Sequence, residues 1–332
     1  MHVVEIQLDN SSISLKLSRR PIPFLSAGEV LVKVSAFGIN RADILQKKGH
    51  YPPPLGASDL LGLEVAGTIV SGQIDHHPYL KIGSLVCALL SGGGYAEYVA
   101  VPIEHCLPIP SGLSLLEAAS LPEALFTAWM NLVNLANVQD IRFGQVKTIL
   151  IHGGSSGIGV MSIQLVKALG HNVVVTAGSD EKCKACLQLG ADYAINYRQF
   201  DFVEEIKCWT QNKGVDVILD MVAGDYTARN LKILAPGGHL ANIAFLGGKQ
   251  GLIDHNLLIQ RNLTITGANL RGRSLSFKSN LASQLYNQVW PFIIAKKIKP
   301  VIDTSFPVAK INAAHALMES SLHMGKLVSY WY

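Results

Sequence analysis

Gly154-Ser-Ser-Gly157-Ile-Gly159 follows an apolar run and opens a helix-like one. Glycines at such a point let the backbone turn tightly and let a pyrophosphate come close. The helix N-terminus then supplies N–H groups and the positive end of a dipole. The spacing differs from the usual Gly-x-Gly-x-x-Gly, so the strand–turn–helix context carries more weight than the glycines alone. An ordinary glycine turn in an α/β domain is the plain alternative. The next strand bears on which nucleotide is bound. An NAD site usually ends that strand in Asp or Glu, which takes the ribose 2′-hydroxyl. Here Val173-Val-Val-Thr176 runs into Ala177-Gly178-Ser179, with no acid at the strand end and Lys182 three residues on. Ser179 can donate a hydrogen bond and Lys182 can offer an ammonium to a 2′-phosphate. The expected cofactor is therefore NADPH rather than NADH. Asp180 and Glu181 read as solvent-facing residues in a first helical turn, where their charge suits the dipole. Tyr197 follows the third strand and reads as a cover for the adenosine phosphate, or as a rim aromatic.

These residues need a sheet beneath them, and the chain writes one. Strands are expected at 146–152, 172–177, 193–196, 215–221, 239–244 and 263–267. Helices are expected at 157–169, 181–189, 203–210 and 226–234. Apolar strands alternating with helices predict a parallel sheet covered on both faces, and about six strands match a doubly wound dinucleotide fold. The first 120 or so residues read as β-rich, with runs such as Glu29–Val34 and Ala66–Val70 between Gly/Pro turns. Gly49–Gly56 is a loop, because its three prolines lack backbone donors. An apolar helical stretch covers Leu125–Trp129. The tail carries a long helix at Leu281–Ala295 and a strand at Lys326–Tyr330 that is expected to return to the first domain.

Composition narrows the function. The chain has 332 residues, room for about two domains. Hydrophobic residues make up 49% and charged residues 16%, which is globular. The net charge of +4 is scattered, so no nucleic-acid partner is expected. Residues 149–166 lack Asp, Glu, Lys and Arg but hold four glycines and three serines. They do not read as a membrane span, and the start lacks a signal-peptide pattern. A cytoplasmic protein is the expectation. The five cysteines are scattered, and Cys183-Lys-Ala-Cys186 has no second pair to complete a zinc site. They read as structural thiols.

The order and spacing of several short motifs resemble one family. They are Gly38-Ile-Asn-Arg-Ala-Asp43, Gly49-His-Tyr-Pro-Pro-Pro54, Gly62-Leu-Glu-Val-Ala-Gly67, Leu121-Pro-Glu-Ala124, the glycine loop, Ala177-Gly-Ser179 with Lys182, Asn196-Tyr197 and Gly325-Lys326. The chain resembles the zinc-independent quinone oxidoreductases (zeta-crystallin type) of the medium-chain dehydrogenase/reductase superfamily over nearly its whole length. The resemblance implies an α/β protein: a GroES-like β-rich catalytic domain (residues 1–123 and 270–332) plus a Rossmann doubly wound sheet (124–269), with the active site in the cleft between them. It also implies a homodimer through Rossmann edge strands, for which Leu263–Leu270 is the candidate. Zinc-dependent members place a Cys, a His-Glu pair and a second Cys around the site. The matching places here hold Asn40, Leu63 beside Glu64, and Glu123, so no metal is expected. Glu64 then reads as a structural carboxylate with a buried partner. His76 and His77 read as loop residues.

The same resemblance implies the roles. Asn40 hydrogen-bonds the substrate carbonyl or the nicotinamide ribose, and Tyr51 touches cofactor or substrate. Thr127 holds the nicotinamide-side phosphate. Ser156, Gly157, Ile158 and Gly159 meet the pyrophosphate. Gly178, Ser179, Lys182 and Tyr197 form the 2′-phosphate pocket. Phe245, Leu246, Ala268, Asn269 and Leu270 flank the nicotinamide, and Lys326 is a further cofactor candidate. Three of these have plainer readings: Asn40 as a turn cap, Tyr51 as a packing aromatic, Thr127 bonded to its own backbone. Asp43 reads as structural, a partner for Arg41. Without a Lewis acid, reducing an activated electrophile is easier than oxidising an alcohol. The expected reaction is hydride transfer to a quinone. A reductase of enones, alkenals or enoyl thioesters is the nearest alternative. A non-catalytic NADPH-binding sensor or RNA-binding protein is the alternative of another class.

Overall fold

The computed structural model describes residues 1–9, 12–74, 77–139 and 145–331. The chain forms two compact units, one of Met1–Phe126, Arg271–Lys296 and Pro300–Tyr332, the other of Thr127–Leu270 and Lys297–Lys299.

The first unit opens with an antiparallel pair, β1 (His2–Asp9) and β2 (Ser12–Arg19). Then come β3 (Glu29–Ile39), helix α1 (Arg41–Lys47), β4 (Glu64–Gly72), β5 (Leu85–Leu89), β6 (Tyr98–Pro102) and β7 (Cys106–Pro108). In β3 the sequence alternates as a half-buried strand should: Val30, Val32 and Val34 are buried while Lys33 is exposed. The strand then turns wholly inward over Phe37–Ile39 and delivers Asn40 beside the core. The prolines at 52–54 lie outside any helix or strand, as expected. A short α2 (Leu115–Ala118) precedes α3 (Pro122–Trp129), which leads into a π-helical stretch at Met130–Leu135.

The second unit is an alternation of strand and helix. It contains β8 (Thr148–His152), α4 (Gly157–Ala168), β9 (Asn172–Ala177), α5 (Asp180–Gln188), β10 (Tyr193–Asn196), α6 (Phe202–Trp209), β11 (Val215–Asp220), α7 (Tyr226–Ile233), β12 (Leu234–Asn242), α8 (His255–Gln260) and β13 (Thr264–Gly267). The six strands are all parallel, in the order β10-β9-β8-β11-β12-β13. Central residues Ile149, Leu150, Val173, Val174 and Ile218 have no exposed surface, the consequence of helices on both faces. The chain leaves β8 toward β9 on one side and returns to β11 on the other. The carboxyl ends of β8 and β11 therefore mark the switch point where such sheets bind ligands.

The chain then adds α9 (Leu275–Gln288), α10 (Trp290–Ile294), β14 (Ile302–Pro307), α11 (Ile311–Ser320) and β15 (Lys326–Tyr330) to the first unit. One helix was expected over 281–295; there are two. Ser274 caps the first by accepting from Phe277 N at 3.2 Å. Pro291, which has no N–H to continue a ladder, sits in the first turn of the second. Strand β15 pairs antiparallel with β3, Leu327 opposite Ile39, so the tail does return to the first sheet. Among the described residues no helix is long and apolar enough to cross a membrane.

Candidate active site

The register of β3, β4 and β15 puts three polar groups together inside the first unit. Lys326 opens β15, Glu64 opens β4, and Asn40 follows β3. The Lys326 ammonium donates to Asn40 Oδ1 at 2.6 Å and to Glu64 Oε1. Asn40 Nδ2 donates to the same Glu64 oxygen at 2.9 Å, and the backbone N–H of Glu123 reaches the other oxygen at 2.8 Å. Lys326 is 3% exposed and Glu64 0%. A charge buried that far needs a partner, and here each has one. Gly38 makes the room: a Cβ there would stand 2.0 Å from Glu64 Oε1.

Beneath this cluster lies Asp43. Its partner is not Arg41, as the sequence suggested; Arg41 instead donates to Ser321 Oγ at 2.8 Å. Asp43 Oδ2 accepts from Asn40 N at 2.8 Å, and Oδ1 accepts from Gly62 N at 3.0 Å. Tyr95 OH lies 3.3 Å from Oδ2 and 2.9 Å from His315 Nε2. Burial pushes the Asp43 carboxyl up to about 6, and holds the His315 imidazole down to about 3, so that ring is neutral. Asn40 does cap α1, and its side chain also serves the Lys326–Glu64 pair.

Tyr51 stands over a second buried group in the same unit. The Arg271 guanidinium lies 5.2 Å from the Tyr51 ring centre. It donates to Ser91 O at 2.8 Å, to Gln46 Oε1 at 2.8 Å and to Tyr51 O at 3.4 Å. Lys278, 2% exposed, donates to Ser91 Oγ and Arg271 O, both at 2.8 Å. Among the described residues neither cation has a carboxylate within ion-pair distance. Burial lowers both, and the charge they share as a partial counterweight is Glu123's. Burial, with Glu123 nearby, pushes the Tyr51 phenol up to about 12. Glu123 itself, in the first turn of α3, is raised to about 8 by burial and by the Glu64 carboxylate.

In the second unit the glycine turn is built as a close-packed cradle. Gly153 has φ +68°, a left-handed conformation that glycine adopts without strain. A Cβ on Gly154 would meet Val175 at 2.6 Å, and one on Gly159 would meet Gly153 O at 2.3 Å. Ser156 is the N-cap of α4 and accepts from Gly159 N at 3.0 Å. Ser156, Gly157 and Ile158 are partly exposed at the helix start, where the first N–H groups have no partner within the helix. The strand beneath is pinned by His152, which the sequence reading passed over. Its ring bonds Thr176 Oγ1 at 3.0 Å and Asn230 Oδ1 at 2.8 Å. Asn230 in turn donates to the buried Asp220 at 3.0 Å, which also accepts from Val222 N at 2.6 Å.

At the end of β9, Ser179 caps α5 by accepting from Lys182 N at 3.3 Å. A Cβ on Gly178 would lie 3.0 Å from Tyr197 OH, so Gly178, Ser179, Lys182 and Tyr197 share one corner. Asp180 is exposed, as expected, but is also tied down: its Oδ1 accepts from Asn196 Nδ2 at 2.7 Å. Phe245 and Leu246 are 53% and 57% exposed on the loop after β12, anchored by Leu246 N to Met221 O at 3.1 Å. After β13, Ala268 is partly exposed and Asn269 exposed, whereas Leu270 is buried. Thr127 is buried, and its carbonyl accepts from Asn131 Nδ2 at 2.8 Å.

The structure thus unites Asn40 with Lys326, and the glycine-loop residues with one another. It gives Lys326 a buried ion pair with Glu64. His77 accepts from Leu80 N at 3.2 Å, and His76 lies outside the described residues. All five thiols are free, four of them buried. Arg271 and Lys278 escaped the sequence reading because nothing local marks a cation as buried, whether before α9 or on it.

Residues 26–111 match the alcohol dehydrogenase GroES-like domain, and residues 157–286 match the zinc-binding dehydrogenase family. The chain is 31% identical to quinone oxidoreductase of Rattus norvegicus over 92% of its own length and 90% of the relative's. Among solved structures it is similar to the quinone oxidoreductase of Thermus thermophilus, described with its NADPH complex. That match has 29% identity and a TM-score of 0.80, covering 99% of this chain and 100% of the other. It is also similar to the JamJ enoyl reductase, with 26% identity and a TM-score of 0.83 over 100% of each chain. The word zinc in the matched family name does not suit the donors here. Asn40 and Glu64 are already held by an ammonium, and among the described residues neither a thiol nor an imidazole hydrogen-bonds to their side chains. Among the described residues no three of His, Cys, Asp and Glu are grouped to hold a metal ion.

Proposed function

Because this chain belongs to the quinone-oxidoreductase-like medium-chain dehydrogenase/reductases, we propose that it reduces quinones with NADPH and without a metal. The observation that carries this reading is the Lys326 ammonium seated between Asn40 and Glu64. A bound Lewis acid is the usual means of activating an alcohol for oxidation. Where the cation is instead a buried ammonium tied to a carboxylate, the substrate has to be electrophilic already. A quinone meets that requirement, since the charge it gains is spread over an aromatic ring.

NADPH supplies the hydride when bound. The chain's own residues bind and orient. The glycine cradle, with Ser156 at the head of α4, takes the pyrophosphate on backbone N–H groups. Ser179, Lys182 and Tyr197 take the 2′-phosphate, and the lack of an acid at the end of β9 removes the repulsion an Asp or Glu would impose. Asn40 keeps one amide hydrogen beyond its bond to Glu64 and can direct it at a substrate oxygen. Tyr51 offers a face for a flat ring. A second copy pairing along β13, an edge strand of the parallel sheet, completes the reading. The likeness to the JamJ enoyl reductase supports one alternative, reduction of an enone or enoyl thioester with the same hydride.

Purified protein given NADPH with 1,2-quinones, 1,4-quinones, simple enones and an enoyl thioester separates the two. We expect kcat/KM for the best quinone to exceed that for the best enone or thioester by at least about tenfold. The reverse order moves the assignment to the enoyl reductases.

A further inference from the structure

We propose that His152 is a positioning residue for the coenzyme. Its ring carries a hydrogen-bond chain of fixed direction, from Asp220 through Asn230 to Thr176, that holds the glycine turn in shape for a pyrophosphate. The inference rests on the reading of that turn as the coenzyme's phosphate site.

The direction follows from what each group can donate. Asp220, with no exposed surface, takes Val222 N–H at 2.6 Å and Ala223 N–H at 3.2 Å, so its oxygens act as acceptors. The Asn230 atom 3.0 Å from Asp220 Oδ2 is therefore the amide nitrogen, Nδ2. That turns the amide oxygen toward His152 Nε2, at 2.8 Å. An amide oxygen only accepts, so Nε2 carries the proton. Burial, with the Arg229 guanidinium, favours the neutral ring over the pull of Asp220. A neutral imidazole with its proton on Nε2 has its lone pair on Nδ1, which accepts from the Thr176 hydroxyl at 3.0 Å. Thr176 Oγ1, having given its hydrogen, is left to accept from Gly153 N–H at 3.4 Å. A chain that starts on a carboxylate thus ends on the first N–H of the glycine turn. Phe202 and Tyr226 stand edge-on to the imidazole, each with its ring centre 4.9 Å away, and fix its plane.

The chain ties together what the coenzyme needs held still. Thr176 serves the turn twice, since its carbonyl also accepts from Gly154 N at 2.9 Å. Asp220 fixes the turn after β11. There Met221 packs so close that a Cβ on Gly153 would stand 2.7 Å from its Sδ. Met221 O and Val222 O in turn accept from Leu246 N at 3.1 Å and Gly247 N at 2.7 Å. The ends of β8, β9 and β11, where the sheet switches direction, and the loop of Phe245 and Leu246 are therefore set by one network. His152 has no exposed surface and acts through Thr176 and Gly153. Breaking the chain disturbs the pyrophosphate turn and removes no group of the 2′-phosphate corner. Affinities for NADPH and NADH should fall together.

The test joins coenzyme titrations to nitrogen NMR of isotope-labelled histidines. In wild type at pH 7 the His152 proton is expected on Nε2, with none on Nδ1. Its signals are assigned by their loss in His152→Phe or, if that variant does not fold, by their shift in Thr176→Ser. Thr176→Val keeps the shape of the side chain and removes the hydroxyl. It should raise the Kd for NADPH and for NADH alike by about tenfold. Thr176→Ser restores the hydroxyl and should bind both as wild type does. A threonine that merely filled space would give the opposite order, with the valine variant nearer to wild type, and that order overturns the proposal. So does a loss confined to NADPH, which would place the defect in the 2′-phosphate corner. A wild-type proton on Nδ1, or on both nitrogens, overturns it without any variant. If wild type binds neither coenzyme, the coenzyme reading itself fails, a result distinct from normal binding that ignores the chain.

Discussion

At the scale of single residues, the most legible features were those whose chemistry is local. A glycine that must sit against another segment's atoms declares itself by being glycine. Gly159 is the case: a methyl there would lie 2.3 Å from Gly153 O, and backbone has nowhere to go. Gly159→Ala is expected to destabilise the second unit and to weaken NADPH binding at least about tenfold, read by fluorescence titration against a thermal melt. In the proposed 2′-phosphate pocket, Lys182 would contribute its charge. Lys182→Ala should raise the Kd for NADPH about tenfold and leave NADH unchanged, with the NADPH effect shrinking as salt rises. Equal losses for both coenzymes would remove Lys182 from the 2′-phosphate pocket. The residues that were not legible are those whose meaning comes from distant partners. Lys326 reads as a cofactor candidate, and nothing local announces that its ammonium also meets Glu64, 262 positions away in the chain. Asp43 looked like a partner for its neighbour Arg41, because sequence shows neighbours and not the Tyr95–His315 pair that tertiary packing supplies.

At the scale of elements, the parallel sheet was readable because buried strands are written as unbroken apolar runs, and Val173–Val175 is plain in the chain. The tail helix was misjudged because apolar periodicity runs straight through Trp290-Pro291, where the missing N–H of proline restarts the helix. The pairing of β15 with β3 matters most for the site, since it carries Lys326 to Glu64. Removing one member of a buried pair costs more than removing both. Lys326→Met should destabilise by about 3–5 kcal/mol, and Lys326→Met with Glu64→Leu by much less. Denaturant melts of the three proteins test this, and equal losses in the single and double variants would contradict it. Helix α3 carries the opposite sign. Glu123 is raised in the folded chain to about 8 from a usual value of 4.5, so the fold binds its proton more tightly than the unfolded chain does. The stability cost of ionising it grows as pH rises from about 4.5 and is complete above about 8. Glu123→Gln should therefore raise the melting temperature at pH 9 and change it little at pH 5.

At the scale of the whole molecule, each unit contributes a different kind of specificity. On the proposed reading, the second supplies backbone donors and one basic corner, which would select a phosphorylated coenzyme. The first is a GroES-like unit whose buried ammonium stands between an amide and a carboxylate. On the same proposed reading, this arrangement suits reduction of an electrophile that needs no metal. The measurement that tests this most directly follows NADPH consumption by metal-stripped protein with a 1,2-quinone, with chelator present, against the same protein given zinc, and against NADH in place of NADPH. The account predicts full turnover after stripping, no gain from zinc, and at least about tenfold preference for NADPH. Turnover that vanishes on stripping and returns with zinc would contradict it.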